Sequence, residues 1–556
     1  MRAFRVWAPG RRRVEVAVDG RPGAMRATSD GWWLSDAFEL ASGARYGFSL
    51  DGGPLRPDPR SPSQPDGVLG LSEVVDHDDF VWTDANWRGL PLSGLVLYEL
   101  HVGTFSRAGT FDGATGQLPR LVELGAGAIE LMPVAEFSGL RGWGYDGVDL
   151  FAPHHAYGGP SGLKRFVEAC HATGLAVVLD VVYNHLGPAG NFLPEFGPYF
   201  SDRHRTPWGP AVNYDGPHRD EVRRFIVDNA VMWIRDYHVD GLRLDAVQTI
   251  RDESPVHILS EIARSVHAAG RALGRATLVF AESARNDEEI IEGSEAGGFG
   301  LDAMWSDDWH HSVHAVLTGE HDGYYSKFGS VDQLGDALRQ AWVRGRPPRG
   351  LPPDRFVVFA QNHDQVGNRA AGERLSALVS PGRTKIAAAL LLTSPFTPLL
   401  FQGEEWAAST PFQYFTDHAE GQLGRAVSEG RRSEFAAFGW NPRPVPDPQD
   451  AATFERSKLD WNEIALPPHD DMRDWYRRLL ALRRELGAPG EVEVECDGAR
   501  RRLAFRRAGL TVFVNLGAED WRPEVTPGLH LVMSSAEQPD VLPPDSVAIY
   551  RARTVG

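Results

Sequence analysis

Arg243 and Asp245 are opposite charges two residues apart inside the short apolar run GLRLDAV, Gly241 to Val247. On a strand, side chains alternate between faces, so these two point the same way while Leu242, Leu244 and Ala246 take the other face. A charge is costly in a core unless it is paired or put to use. An arginine beside a carboxylate keeps it ionised, as a carboxylate nucleophile must be. An ion pair closing a buried strand would account for these seven residues taken alone. Three further apolar runs close in the same manner: VVLDVVYNH supplies Asp180, Asn184 and His185, TLVFAES ends on Glu282, and FVVFAQNHD ends on His363 and Asp364. Stability gives no reason to gather carboxylates, since like charges repel. Paired carboxylates, no cysteine nucleophile and many aromatics point to glycoside chemistry. Retaining hydrolysis needs an ionised carboxylate as nucleophile and a protonated carboxyl to protonate the leaving oxygen, about 5 to 5.5 Å apart. Asp245, held beside Arg243, suits the first role. Glu282 suits the second, because desolvation and neighbouring carboxylates both raise its pKa. Asp364 is left to orient the distorted sugar and to keep Glu282 protonated.

These residues can converge only if their runs are neighbouring strands of one sheet. From about residue 95 the chain alternates strand-like with helix-like patterns. GLVLYELHV, GAIELMPV, AVVLDVVYNH, VDGLRLDAV, TLVFAES, FGLDAMWSDD, RFVVFAQNHD and SPFTPLLFQGEE are eight candidate strands. Helical patterns such as SGLKRFVEACHATG and EVRRFIVDNAVMWIRDYH lie between them, and DDMRDWYRRLLALRREL follows the last. Strands alternating with helices imply parallel pairing. Eight such units predict a (β/α)8 TIM barrel, in which polar residues at strand C-termini meet on one face. The expected barrel runs over 91–487. Residues 1–90 alternate with period two, as in RVEVAV, and predict an N-terminal β-sandwich ending in the Pro-rich PLRPDPRSPSQPDG. Residues 488–556 return to that pattern, with LAFRRAGLTVFVNLG as a hairpin, and predict a C-terminal β-sandwich.

At 556 residues the chain has room for several domains, and 42% hydrophobic with 24% charged residues is an ordinary globular balance. The formal charge of -18 argues against nucleic acid and against an anionic membrane surface. A neutral substrate fits better, and 16 Trp can offer flat faces to sugar rings. Cys170 and Cys496 are too few and too far apart for a disulfide framework or a cysteine metal site. The N-terminal MRAFRVWAPGRRRVEV lacks the apolar core of a signal peptide, and no run is long enough to span a bilayer. A soluble, cytoplasmic protein is expected, with oligomeric state left open.

DVVYNH, GLRLDAV, AES and QNHD, in that order on those strands, resemble the four sequence signatures of the α-amylase superfamily of glycoside hydrolases. The resemblance covers the whole barrel. It implies that Asp245 is the nucleophile, Glu282 the acid/base and Asp364 the transition-state stabiliser. It further implies that His185, Arg243 and His363 contact the sugar next to the scissile bond, and that Tyr145, in RGWGYDG, stacks on that ring. The VWAP module near the N-terminus is similar to that of branching, debranching and related members. YELHVGTF, LMPVAEF, GWGYDGV, GEEWAASTPFQYFTDH and WSDDWHHSVHAVLTGEHDGYYSKFG resemble the trehalose-releasing subgroup. That narrower resemblance implies hydrolysis of the α-1,4 bond adjoining the terminal trehalose of maltooligosyl trehalose. It implies no cofactor and no metal, and a maltooligosyltrehalose synthase as functional partner. A glucan branching or debranching enzyme, or a glucan-binding scaffold, are the alternatives that the domain plan leaves open.

Trp305, Asp307, Asp308, Trp309, His310 and His311 follow the sixth strand and are expected to line a pocket for the trehalose unit. Buried polar groups matched to its hydroxyls would reject an ordinary maltose end. His310 and His314, one helical turn apart, could instead begin a zinc site, but two histidines alone are a weak signal. Asp180 is expected to orient the site. His154 and His155 with Tyr157 fall in a loop near the second helix, where a turn is reason enough for them. Cys170 reads as core.

Overall fold

The structure, a computed structural model, describes residues 2–38, 40–418, 421–437, 445–487, 490–538 and 540–552. Glu39, inside one expected N-terminal strand, and Ala488, where the C-terminal unit was expected to begin, lie outside them. Eight parallel strands close into a barrel: β1 (Leu97–Leu100), β2 (Ala128–Leu131), β3 (Ala176–Val181), β4 (Gly241–Leu244), β5 (Leu278–Ala281), β6 (Ala303–Trp305), β7 (Phe356–Phe359) and β8 (Thr397–Phe401). All eight expected runs supply one strand each. Helices α1 (Gly159–Ala172), α2 (Arg219–Asp236), α3 (Ile258–Ala272), α4 (Asp307–Thr318), α5 (Pro381–Thr393) and α6 (His469–Glu485) belong to the outer layer. The β5–β6 connection carries two 3-10 turns, Glu288–Ile290 and Ser294–Ala296, where a full helix was expected. No helix among the described residues is long and apolar enough to cross a membrane.

The strands are short apolar runs because both faces are covered. Leu97, Val178, Phe280, Trp305, Val357, Phe359 and Leu399 form one inward cluster. The outward residues join a continuous core that also reaches into the two antiparallel sheets flanking the barrel. The N-terminal sheet has seven strands, and in Val14–Val18 the buried positions are the alternate valines. The C-terminal sheet has five strands, and its last, Ser546–Ala552, packs on α5. That cover explains why α5 is apolar on every side from Ile386 to Leu392, with Ile386, Leu390, Leu391 and Leu392 all fully buried.

One polar layer interrupts the barrel interior just below the strand C-termini. Glu99 pairs in register with Glu130, and Asp180 with Arg243. Each of these four side chains is at most 3% exposed, in a position where apolar residues would serve stability better.

Candidate active site

Arg243 is fully buried at the end of β4 and organises the floor of the site. Its Nη1 donates to Asp180 Oδ2 at 2.7 Å and to Asp245 Oδ1 at 2.9 Å, while its guanidinium lies over the Trp305 ring at 4.5 Å. Burial opposes its charge, but Asp180, Tyr145 and Asp245 outweigh burial and hold its pKa well above the usual value. Asn184 donates to Asp245 Oδ2 and to the Asp245 carbonyl, both at 2.8 Å, so the carboxylate is fixed from two sides. Asp180 also accepts from the Tyr145 hydroxyl at 2.6 Å, and burial pushes the Asp180 carboxyl up to about 6. The Tyr145 ring stacks on His363, with centroids 5.0 Å apart.

Immediately after Asp245 the chain turns through Ala246, whose φ of 42° lies in the left-handed region that side chains rarely adopt. The turn presents the Ala246 N–H to Glu282 Oε2 at 2.5 Å and the Val247 N–H to the Glu282 carbonyl at 3.0 Å. Strain at a non-glycine residue persists only where its surroundings enforce it. Here it ties the candidate nucleophile strand to the candidate acid. Burial, followed by the charges of Asp245, Asp307 and Asp364, pushes Glu282 up to about 8, against the lowering charge of Arg243. At neutral pH Glu282 is therefore a carboxylic acid facing an arginine-held aspartate.

Asp364 lies on a short helix, His363–Gly367, with Asn368 donating to its Oδ1 at 3.1 Å and His363 Nε2 3.5 Å from that oxygen. His185 bonds to Asn184, is kept neutral by burial, and stacks on the ring of Trp208. Trp208 is 54% exposed at the turn of a two-stranded excursion, Phe200–Thr206 and Gly209–Val212. The sequence marks it only as an aromatic between Pro and Gly.

A cavity of about 340 Å³ opens beside Glu282 and Asp364, walled by Trp305, Asp307, His311, Tyr324 and Arg344. Asp307 and His311 are four apart on α4, so they share its cavity-facing side. Burial, then the Asp364 and Asp308 charges, push Asp307 up to about 7. Asp308, Trp309 and His310 point elsewhere, against the expectation that they line this pocket. The Asp308 carboxylate is fully buried and consumed by Arg344 Nε (2.6 Å), the Val343 and Arg344 N–H groups and Asn286. Trp309 is fully buried in the core, and His310 is spent on the Ala360 carbonyl and the Tyr325 hydroxyl. The helical period places these three behind the wall, where they shape it without forming it. His314 pairs with Glu320 at 2.8 Å. Tyr324 and Arg344, which do line the cavity, sit on segments whose approach depends on tertiary structure.

The one group of potential metal ligands among the described residues is Glu136, His154 and His155. Its carboxylate is already taken by His155 Nδ1 at 2.7 Å and the His155 N–H at 2.8 Å. That hydrogen bond outweighs burial and raises the His155 pKa, so the group is an ion pair in its own right.

Residues 73–196 match the alpha-amylase catalytic domain family model, which, with the barrel and its strand-end acids, makes the protein a glycoside hydrolase of that class. The malto-oligosyltrehalose trehalohydrolase of Arthrobacter ramosus is 50% identical over 538 residues, covering 93% of each chain. The chain belongs to the malto-oligosyltrehalose trehalohydrolase family. A crystal structure from Salmonella typhimurium, provisionally assigned to the alpha amylases, superposes with a TM-score of 0.91 at 38% identity over 99% of this chain and 97% of its own. A 1,4-alpha-glucan branching enzyme of a Shewanella species is far less similar, 26% identical over 89% of this chain and 66% of its own.

Proposed function

We propose that the protein hydrolyses the α-1,4 bond adjoining the terminal trehalose of maltooligosyl trehalose, with retention, releasing trehalose. The observation that carries this reading is Glu282, its pKa pushed up to about 8 by burial, beside an Asp245 held by Arg243, at the rim of a cavity sized for a small polar ligand. Asp245 attacks the anomeric carbon on the face opposite the leaving oxygen while Glu282 gives its proton to that glycosidic oxygen, and trehalose leaves on the cavity side. The Glu282 carboxylate then takes a proton from water, which attacks the glycosyl–Asp245 ester and restores both groups. Asp364 and His363 hold the hydroxyls of the distorted ring, Arg243 and Asn184 hold the Asp245 carboxylate in place, and Tyr145 and His185 bracket the sugar. Asp307, His311, Tyr324 and Arg344 recognise the trehalose unit, in a cavity wall built on Asp308, Trp309 and His310. The family's substrate supports the choice of trehalose over a branching reaction, and so does the distance from branching enzymes. A cytoplasmic setting, and a maltooligosyltrehalose synthase as supplier of the substrate, complete the reading.

Chromatography of the products formed from maltotriosyl trehalose tests it. Free trehalose and maltotriose in equal amounts are expected. New α-1,6 branch points, or no cleavage by a folded protein, would contradict it.

A further inference from the structure

Glu99 is the third residue of β1, 1% exposed, and nothing in the retaining mechanism uses it. Its Oε1 lies 2.5 Å from His363 Nδ1, and its Oε2 accepts the His363 backbone N–H at 2.9 Å. Both carboxylate oxygens are thus spent on one residue after β7, two strands away round the barrel, joining the start of the strand array to the candidate stabiliser helix. We propose that Glu99 is a positioning residue for the reaction: by accepting the Nδ1 proton and the backbone N–H of His363, it fixes that ring so that Nε2 also carries a proton and offers it to Asp364 and the sugar. This rests on the reading of His363 and Asp364 as part of the machinery.

The groups around the ring bear this out. With Nδ1 bound to one carboxylate and Nε2 3.5 Å from another, both ring nitrogens face acceptors, and the imidazolium is the form that can donate toward both. Burial alone would drive the extra proton off, but Asp364 and Glu99 outweigh it and push His363 up to about 9, against the opposing charge of Arg243. Of the other groups facing it, Asp180 is paired with Arg243, and Tyr145 donates its hydroxyl to Asp180. Burial holds His101 neutral, its pKa down to about 3. Burial also raises Glu130 well above the carboxylate range, which disfavours a charge there. Glu99 is therefore the carboxyl of that layer that lies on His363, since Asp180 is taken by Arg243 and Tyr145. Two rings hold the imidazole laterally, Tyr145 stacked at 5.0 Å and Trp143 edge-on at 5.7 Å, which leaves Glu99 to set its protonation.

Glu99→Gln removes the charge and keeps the shape. Without its anion the buried imidazole loses a proton near neutrality. On maltotriosyl trehalose, kcat is expected to fall about tenfold or more at pH 8, with KM changing less, and the alkaline limb of kcat/KM to move acidward by about one unit. In the wild type that limb is set by Glu282 losing its proton near 8. Glu99→Asp, which keeps the carboxylate, is expected to restore the limb, and Glu130→Gln to leave it in place. Independently of any variant at 99, a low-field ring N–H proton resonance, absent from His363→Asn, is expected to persist in the wild type toward pH 9. A uniform loss of kcat with an unmoved limb, a Glu99→Gln profile like the wild type, or a His363 resonance lost at the ordinary histidine pKa would overturn the proposal. If the wild type itself released no trehalose, the underlying reading would fall; an active wild type with an unmoved limb sinks Glu99 alone.

Discussion

Glu282 ends an apolar strand, and the same burial that makes its charge costly makes it useful as a proton donor. Its pKa near 8 arises from desolvation, with Asp245, Asp307 and Asp364 adding repulsion. The acid is therefore present at neutral pH and lost as pH rises through about 8, so kcat/KM should decline on that side. Glu282→Gln and Asp245→Asn are each expected to lower kcat about a thousandfold or more. Only the glutamine variant should also lose the alkaline limb, as stopped assays from pH 6 to 10 would read. Retention of that limb in Glu282→Gln would move the acid role elsewhere. At this scale the sequence was informative where a charge interrupts an apolar run: Arg243, Asp245, Glu282 and Asp364 all announce themselves in that way. Glu99 and Glu130 also interrupt apolar runs, in YELHV and AIELM. They escape notice because their partners come from other strands, and only the barrel register puts them in one layer.

At the scale of elements, period and cover decided what could be read. The eight strands were legible as apolar runs, whereas α5 from Ile386 to Leu392 has no polar face to mark it as a helix, because the last strand of the C-terminal sheet packs on it. In α4 a run of polar and aromatic residues looked like one pocket wall, yet a helix sends Asp307 and His311 one way and Asp308, Trp309 and His310 another. The long connection from the N-terminal sheet is pinned to the barrel base by a buried cluster, equally invisible in sequence. His171 on α1 bonds to Asp84 at 2.8 Å and to Asp240 at 3.0 Å, and Arg275 and His238 also reach Asp84. Burial opposes each charge, but the hydrogen bonds win: Asp84 is held below the carboxylate range and His171 above the histidine range. His171→Ala should cost about 3 kcal/mol in denaturant unfolding. Asp84 contributes stability above its unfolded pKa, lost as pH falls. His171 contributes below its own unfolded pKa, lost as pH rises through the raised folded value. The difference between wild type and variant is thus expected to be greatest between about pH 4 and 6.5. A constant difference from pH 4 to 9 would show that packing alone holds the connection.

For the molecule as a whole, a single apolar core links both antiparallel sheets to the barrel, and the strand C-termini open on one mouth. The proposal puts bond-breaking at the strand ends and selectivity in the segments after β6, which explains why the reaction class was plain in four short motifs and the substrate was not. The cavity beside Glu282 sets hydrogen-bonding side chains such as Asp307, His311 and Arg344 among aromatic ones, and a site that offers such groups discriminates against a ligand that leaves them unpaired. The direct measurement is kcat/KM for maltotriosyl trehalose beside maltopentaose, a chain of equal length without the trehalose end. A preference of about a hundredfold or more for the trehalose-ended substrate, with trehalose as the leaving product, is expected. Equal rates on the two would contradict the assignment of that cavity to trehalose.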